Sequence, residues 1–346
     1  MKRNEINISY LKELFVKYYG ESYHEIRVFT SPGRVNLIGE HIDYCGGSVF
    51  PAALTLSCAA AVRLNDSNVV NLRAEDLDGV YSFDLRNTLS GKSLKWGNYQ
   101  AGVIHGLMEK GYHVRGMDLL FIGNIPFGSG LSSSAAIELT TAVAAATLSE
   151  NFTEKGIDLV QMALIGQTAE HTFCNVHCGI MDQFASAMGK KDHAILLDCA
   201  SLKYKYVPLD LGNYMLVLAN TCKKHALGAS AYNKRREEVA EGLLRMNHAL
   251  DENRVNLCDF NETDYWRAEA KLGSDKVKDR IKHVIFENER VKKAVSILEN
   301  GDLKSFGKIL CEAHESIRDL YEVTGPELDA MFEIASHTDG CIGSRM

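Results

Sequence analysis

Apolar positions along the chain follow two different rhythms, and the change falls near residue 215. Before it, short β-type runs recur at Ile26–Thr30, Leu56–Leu64, Val69–Arg73, Met117–Ile122 and Ala194–Leu197, and each predicts a strand. Two longer apolar stretches, about Ser133–Ser149 and Ile157–Phe173, predict helices between them. One more β-type run, Met215–Ala219, predicts a further strand. Beyond it the spacing settles into the 3.6-residue period with charged outer faces, over Ala229–Leu250, Asp279–Asn300, Asp302–Tyr321 and Pro326–Ser336. The pattern predicts an α+β protein of two domains, 1–215 and 216–346, the second richer in helix. A cleft between two such halves is the default ligand site.

Composition narrows the function classes. The chain has 346 residues, 46% of them hydrophobic and 24% charged, enough to bury a core in each domain. Its 45 acidic and 38 basic side chains leave a net charge of −7. The overall positive excess on which nucleic-acid affinity leans is missing, so no such partner is expected. No run approaches the roughly 18 apolar residues of a membrane span, and the first twenty residues interleave charge with apolar positions instead of forming a signal core. Nine cysteines, an odd number, are scattered through a chain too long to need disulfide staples. These features predict a cytoplasmic protein with reduced thiols, away from membranes.

Three polar segments stand out against this background. Gly123–Ala136 reads GNIPFGSGLSSSAA, two spaced glycines and three serines running into an Ala-rich helix. Glycines let backbone amides approach an anion, and a helix start offers unpaired N–H groups at the positive end of its dipole. The segment reads as a phosphate cradle, or more plainly as an ordinary N-cap. Ser90-Gly91-Lys92-Ser93 only mimics a P-loop, because position 86 holds Arg86 where that motif needs glycine. Protein-kinase signatures are absent too.

The second segment, Ser31–Pro51, places Arg34, Glu40, His41 and Asp43 among turn glycines and between core-like flanks, which points these groups into a site instead of bulk water. The third, Gly166–Gly189, carries Glu170 late in a helix and Asp182 at the start of another. Two carboxylates suit one metal-ligand role and one base role. His171, Cys174, His177 and Cys178 lie between them at a zinc-like spacing, but packing and capping roles fit better.

Together the segments resemble one family. GRVNLIGEHIDY resembles the galactokinase signature, IPFGSGLSSSAA the ATP-binding motif of the GHMP small-molecule kinases, and GIMDQF with SAYNKRREE the catalytic and sugar-binding segments of galactokinases. The likeness runs from Ser31 to the last residue. It implies the two-domain GHMP-kinase architecture with an active site in the interdomain cleft, and ATP-dependent phosphorylation of D-galactose at its anomeric hydroxyl, the first step of galactose use. By resemblance Asp182 is the catalytic base, and Arg34 stabilises both its charge and the transferring phosphoryl group. Glu40, His41, Ile42, Asp43 and Tyr232 match the sugar-binding positions, with Ile42 standing where threonine is common. Gly128, Ser129, Gly130, Leu131, Ser132, Ser133 and Ser134 match the triphosphate loop, and Trp96 the tryptophan near adenine. Ser134 and Glu170 match the Mg²⁺ ligands, a hard-oxygen set.

Two other functions fit the same likeness. Galactokinase-like regulators bind sugar and ATP without transfer, but they lose a Ser-Ala pair that is intact here as Ser134-Ala135. Action on N-acetylgalactosamine would need room for an acetamido group. The terminal GSRM matches the start of a third family motif, so the second domain is expected to be incomplete in this polypeptide, with reduced stability and weak or absent activity.

Overall fold

The computed structural model describes residues 5–223 and 228–346. Its described strands are β1 (Arg27–Asn36), β2 (Ser48–Val49), β3 (Pro51–Leu64), β4 (Val69–Ala74), β5 (Tyr81–Asp84), β6 (Met117–Gly123), β7 (His193–Asp198) and β8 (Tyr204–Pro208). The α-helices are α1 (Ile8–Tyr19), α2 (Asn98–Glu109), α3 (Ser133–Thr147), α4 (Phe152–Lys155), α5 (Leu159–Ala169), α6 (Met181–Met188), α7 (Gly228–Leu250), α8 (Glu262–Ala268), α9 (Lys276–Glu299), α10 (Leu303–Ser316) and α11 (Pro326–Ser336).

Two compact units form. The first comprises Met1–Arg34 and Ala53–Gly189, the second Val35–Ala52 and Lys190–Met346. The seam thus lies at Gly189/Lys190, where a division at 215/216 was expected, and residues 35–52 join the later unit. A change in hydrophobic period marks where helices become frequent, whereas a unit is defined by which surfaces bury each other.

The first unit is built on a five-stranded sheet in the order β1-β3-β6-β4-β5. β3 and β6 pair antiparallel from Cys58↔Gly123 to Leu64↔Met117, and β4 runs parallel to β6. Because strand side chains alternate, each central strand must supply two apolar faces. Ala59, Ala61, Leu120 and Ile122 turn one way and meet Leu11, Leu14 and Phe15 of α1. Ala60, Val62, Leu119 and Phe121 join the other core, with Ala101 and Ile104 of α2, Leu139 of α3 and Ile165 of α5. Both faces are covered, which accounts for the nearly continuous apolar runs read as strands.

In the second unit β2, β7 and β8 form an antiparallel sheet. Helix α9 carries Arg280, 1% exposed, whose guanidinium is held by Glu238 at 2.9 Å and Glu322 at 2.7 Å. A buried cation needs such partners, since desolvation alone would expel it.

Eleven of the twelve sequence runs form, most with shifted limits: the helix over 157–173 becomes α5 plus a π-helical turn, Glu170–Cys174. The expected strand Met215–Ala219 does not form. Those residues have no regular structure, and Met215 and Val217 are 81% and 72% exposed. An apolar run becomes a strand only when a neighbour completes its ladder, and no described strand pairs with it. Conversely α1, α2, β5 and β8 were not expected. Helix α1 has legible ends all the same: Asn7 accepts from Tyr10 N at 3.0 Å, and Gly20 closes it with φ 75°. Among the described residues no helix is long and apolar enough to cross a membrane, and all nine cysteines are free thiols.

Phe15 is fully buried and ties α1 to the sheet. Phe15→Ala is expected to cost about 3–5 kcal/mol, read from urea unfolding by circular dichroism. A loss below about 1 kcal/mol would show that α1 adds little to this core.

Candidate active site

The polar core of the first unit centres on Asp182, the second residue of α6. Arg34 donates to its Oδ1 from Nε at 2.9 Å and from the terminal guanidinium nitrogen at 2.7 Å. Ser132 Oγ donates to Oδ2 at 2.6 Å. Both carboxylate oxygens are therefore engaged by charge-assisted bonds, which set the orientation of the group. Arg34 also ties down the phosphate-type loop: its backbone N–H donates to Leu131 O at 3.2 Å and its guanidinium to Gly130 O. A Cβ at Gly33 would sit 2.6 Å from Leu131 O, so this close approach requires glycine.

The loop itself differs from a plain N-cap. Ser132 precedes α3 with φ 59°, in the left-handed region, and makes no capping bond because its hydroxyl goes to Asp182. The first-turn N–H groups of α3 thus keep no side-chain acceptor among the described residues and remain available to an anion. Gly128 and Gly130 have φ 69° and 72°, and a Cβ on either would meet nothing within 4 Å. Conformation requires glycine at both, and the space beside them is open.

A buried carboxyl pair lies deeper in the same unit. Glu170, in the π-helical turn, stands beside Ser134 and Glu138 of α3, close enough for both to act on its ionisation. Gln183 Nε2 donates to Glu138 Oε2 at 3.0 Å, leaving Oε1 without a donor. Burial raises both acids, Glu138 well above the ordinary range, and the negative charge of Glu170 raises Glu138 further. A proton on Glu138 Oε1, donated to Glu170, satisfies both groups.

The signature loop belongs to the second unit. Buried Glu287 accepts from Gly39 N at 3.0 Å and holds the turn there. Burial pushes the Glu287 carboxyl up, but Arg290, which donates to it at 2.7 Å, and further positive charge leave it below the usual range. His283 Nε2 donates to Glu40 O at 3.1 Å, so its Nδ1 must accept from Ser316 Oγ at 2.9 Å. Glu40 pairs with Arg345 and accepts from Asn36 Nδ2 at 3.1 Å. The His41 ring lies 5.6 Å from that of Tyr232 and 4.9 Å from that of Tyr321.

Two family models match the chain. The galactokinase galactose-binding signature matches residues 13–64, and the GHMP kinases N terminal domain matches residues 98–190. The galactokinase of Clostridium tetani is 48% identical over 345 residues, 99% of this chain and 86% of that protein. The chain belongs to the galactokinase family. The crystal structure of Lactococcus lactis galactokinase complexed with galactose is 38% identical, with a TM-score of 0.92 over 98% of this chain and 86% of that one. Methanococcus jannaschii mevalonate kinase, 18% identical with a TM-score of 0.60, shares the fold.

Against the expectations for a galactokinase, the structure brings Arg34, Gly130, Leu131, Ser132 and Asp182 into one hydrogen-bonded group and sets Ser134 beside Glu170. Ser132, expected on the nucleotide, gives its hydroxyl proton to Asp182 in a hydrogen bond. Ser129 Oγ donates to Pro126 O at 2.7 Å and closes a turn. Ile42, expected among the sugar contacts, is fully buried, so its side chain offers nothing to a ligand; its carbonyl accepts from Cys45 and Gly47. Trp96 Nε1 donates to Asp78 O at 3.1 Å and its ring meets Tyr81 edge-on. His171 is spent on Cys178 O at 2.8 Å, a structural role. Sequence reasoning missed Glu138, Tyr44, His283, Glu287 and Tyr321. Glu138 alone left a trace, a charge inside an Ala-rich helix.

His283 provides a pH test. Burial lowers its pKa from 6.5 to about 4. Between those values the unfolded chain takes up a proton that the native state refuses, so stability should fall as pH drops from about 6.5 to about 4. His283→Gln is expected to remove on the order of 3 kcal/mol from that decline, measured as parallel denaturant titrations of both proteins. Equal declines would show that His283 is not kept neutral.

Proposed function

We propose that this galactokinase-family chain transfers the γ-phosphoryl group of ATP to the anomeric hydroxyl of D-galactose, giving α-D-galactose 1-phosphate and ADP. The observation that carries the reading is the doubly held Asp182 carboxylate sharing Arg34 with a loop whose helix amides are left unpaired. Asp182 accepts the proton that leaves the anomeric hydroxyl, while Arg34 meets charge growing on the phosphoryl oxygens. Residues 128–134 hold the triphosphate, and Trp96 lies on the adenine side. Glu40, His41, Asp43 and Tyr232 bind the sugar hydroxyls; several fixed partners on neighbouring hydroxyls discriminate epimers, because a misplaced hydroxyl strands a buried group.

Ser134 and Glu170 would hold Mg²⁺. The donors fit: one hydroxyl and one buried carboxylate, both hard oxygens, with the second carboxyl beside them neutralised by a proton. Among the described residues no three His, Cys, Asp or Glu side chains converge as a closed cage, which suits an ion that takes its other ligands from phosphate and water. When bound, the ion would neutralise phosphate charge. The chain acts as a cytoplasmic monomer in this reading. A regulator without transfer activity is disfavoured because Arg34, Ser134 and Asp182 are present and the first and last of these are already paired.

Asp182→Asn is expected to cut phosphoryl transfer by at least about 10³-fold while galactose binding by calorimetry stays within a fewfold. Transfer at the parental rate would refute the assigned base, and no transfer to any monosaccharide by the parent would refute the activity. For the metal, Glu170→Gln should raise the Mg²⁺ concentration for half-maximal transfer by roughly tenfold or more; an unchanged titration would remove Glu170 from the ligand set.

A further inference from the structure

Three aromatic groups of the second unit form a hydrogen-bonded line. Tyr321 Oη lies 2.7 Å from Tyr44 Oη, and Tyr44 Oη lies 2.8 Å from His41 Nδ1. Tyr321 is fully buried, at the end of a π-helical turn, Ile317–Tyr321, that closes on Glu322 at φ 55°. His41 itself sits at φ 61°, a conformation a β-carbon disfavours. Both departures from regular backbone bring these rings within reach of one another.

The direction of the line follows from counting protons. If His41 carried its proton on Nδ1, it would donate to Tyr44 and Tyr44 to Tyr321. The Tyr321 hydroxyl proton would then have no acceptor among the described residues, inside a fully buried pocket. In the opposite sense Tyr321 donates to Tyr44, Tyr44 donates to His41 Nδ1, and every proton has a partner. Burial supports this by lowering His41 and raising both tyrosines, so the imidazole stays neutral and the phenols stay protonated.

We propose that Tyr321 and Tyr44 are positioning residues that lock His41 as the Nε2–H tautomer, so that the sugar site presents one fixed donor beside the carboxylates of Glu40 and Asp43. The functional half rests on the reading that His41 meets the sugar. The hydroxyl facing His41 then accepts from Nε2–H and passes its own proton to a carboxylate, which continues the line in one sense from Tyr321 through the ligand. A hydroxyl that cannot accept and donate at once at that place leaves a member of the line unpaired. The two tyrosines thereby act on sugar selection without touching sugar.

Long-range ¹H–¹⁵N spectra of histidine-labelled protein report the tautomer directly, with the His41 signals assigned by their loss in His41→Gln. The expected wild-type result is a neutral ring protonated at Nε2, and in Tyr44→Phe a mixture of both tautomers. Tyr321→Phe, one step further from the ring, should shift the same equilibrium less and weaken galactose binding about tenfold, the worth of one hydrogen bond, with ATP binding unchanged. An Nδ1–H ring in the parent, or the same tautomer in both variants, would overturn the proposal. The parental spectrum needs no variant, so misfolding of Tyr44→Phe cannot hide the answer. If the Nε2–H form is found but galactose leaves the His41 signals unmoved, the tautomer lock stands and the placement of His41 on the sugar fails.

Discussion

The arrangement of the first unit turns on one carboxylate. Asp182 takes three donated hydrogen bonds from two side chains, and the price is local: Ser132 adopts a left-handed backbone and gives up its capping role. What the helix loses in capping, the site gains as unpaired amides at the start of α3. Arg34 extends the constraint by gripping the loop carbonyls of Gly130 and Leu131, directly or through its own N–H. Moving any one of these groups displaces the others, which is how positioning enters catalysis.

Buried polar groups serve the same end in the second unit. Glu287 and His283 hold the Gly39–Glu40 turn from α9, each satisfied on its other side by Arg290 and Ser316. A buried ionised group without such partners would cost several kcal/mol. With them it becomes a rigid peg, and a loop that carries Glu40, His41 and Asp43 is fixed without burying those side chains completely. The carboxyl pair Glu138–Glu170 meets a related difficulty: burial raises both acids, and the charge of Glu170 raises Glu138 further, which favours a neutral Glu138 in this apolar helix layer.

Most of the core strands and the later helices were legible because burial on both faces writes continuous apolar runs and a 3.6-residue period writes helices. The run Met215–Ala219 shows the limit of such reading, for it has the composition of a strand and lacks a described neighbour. Arg34, Glu170 and Asp182 were legible as dense polarity between apolar flanks. Tyr44 and Tyr321, 277 residues apart in the chain, were not, since a tyrosine in a helical pattern looks like any other core aromatic.

Local composition therefore marked which segments could be helix, strand or glycine-rich turn, and the clustering of charged groups marked the side chains on offer: carboxylates, an arginine and serine hydroxyls beside a glycine loop. Bonding partners were decided only in three dimensions. Ser132 caps nothing and binds Asp182, Ile42 turns inward while His41 and Asp43 beside it do not, and His283 rather than any neighbour in sequence holds Glu40. Each of these depends on a contact between residues distant in the chain, and a hydrogen bond of that kind leaves no periodic mark in the sequence that encodes it.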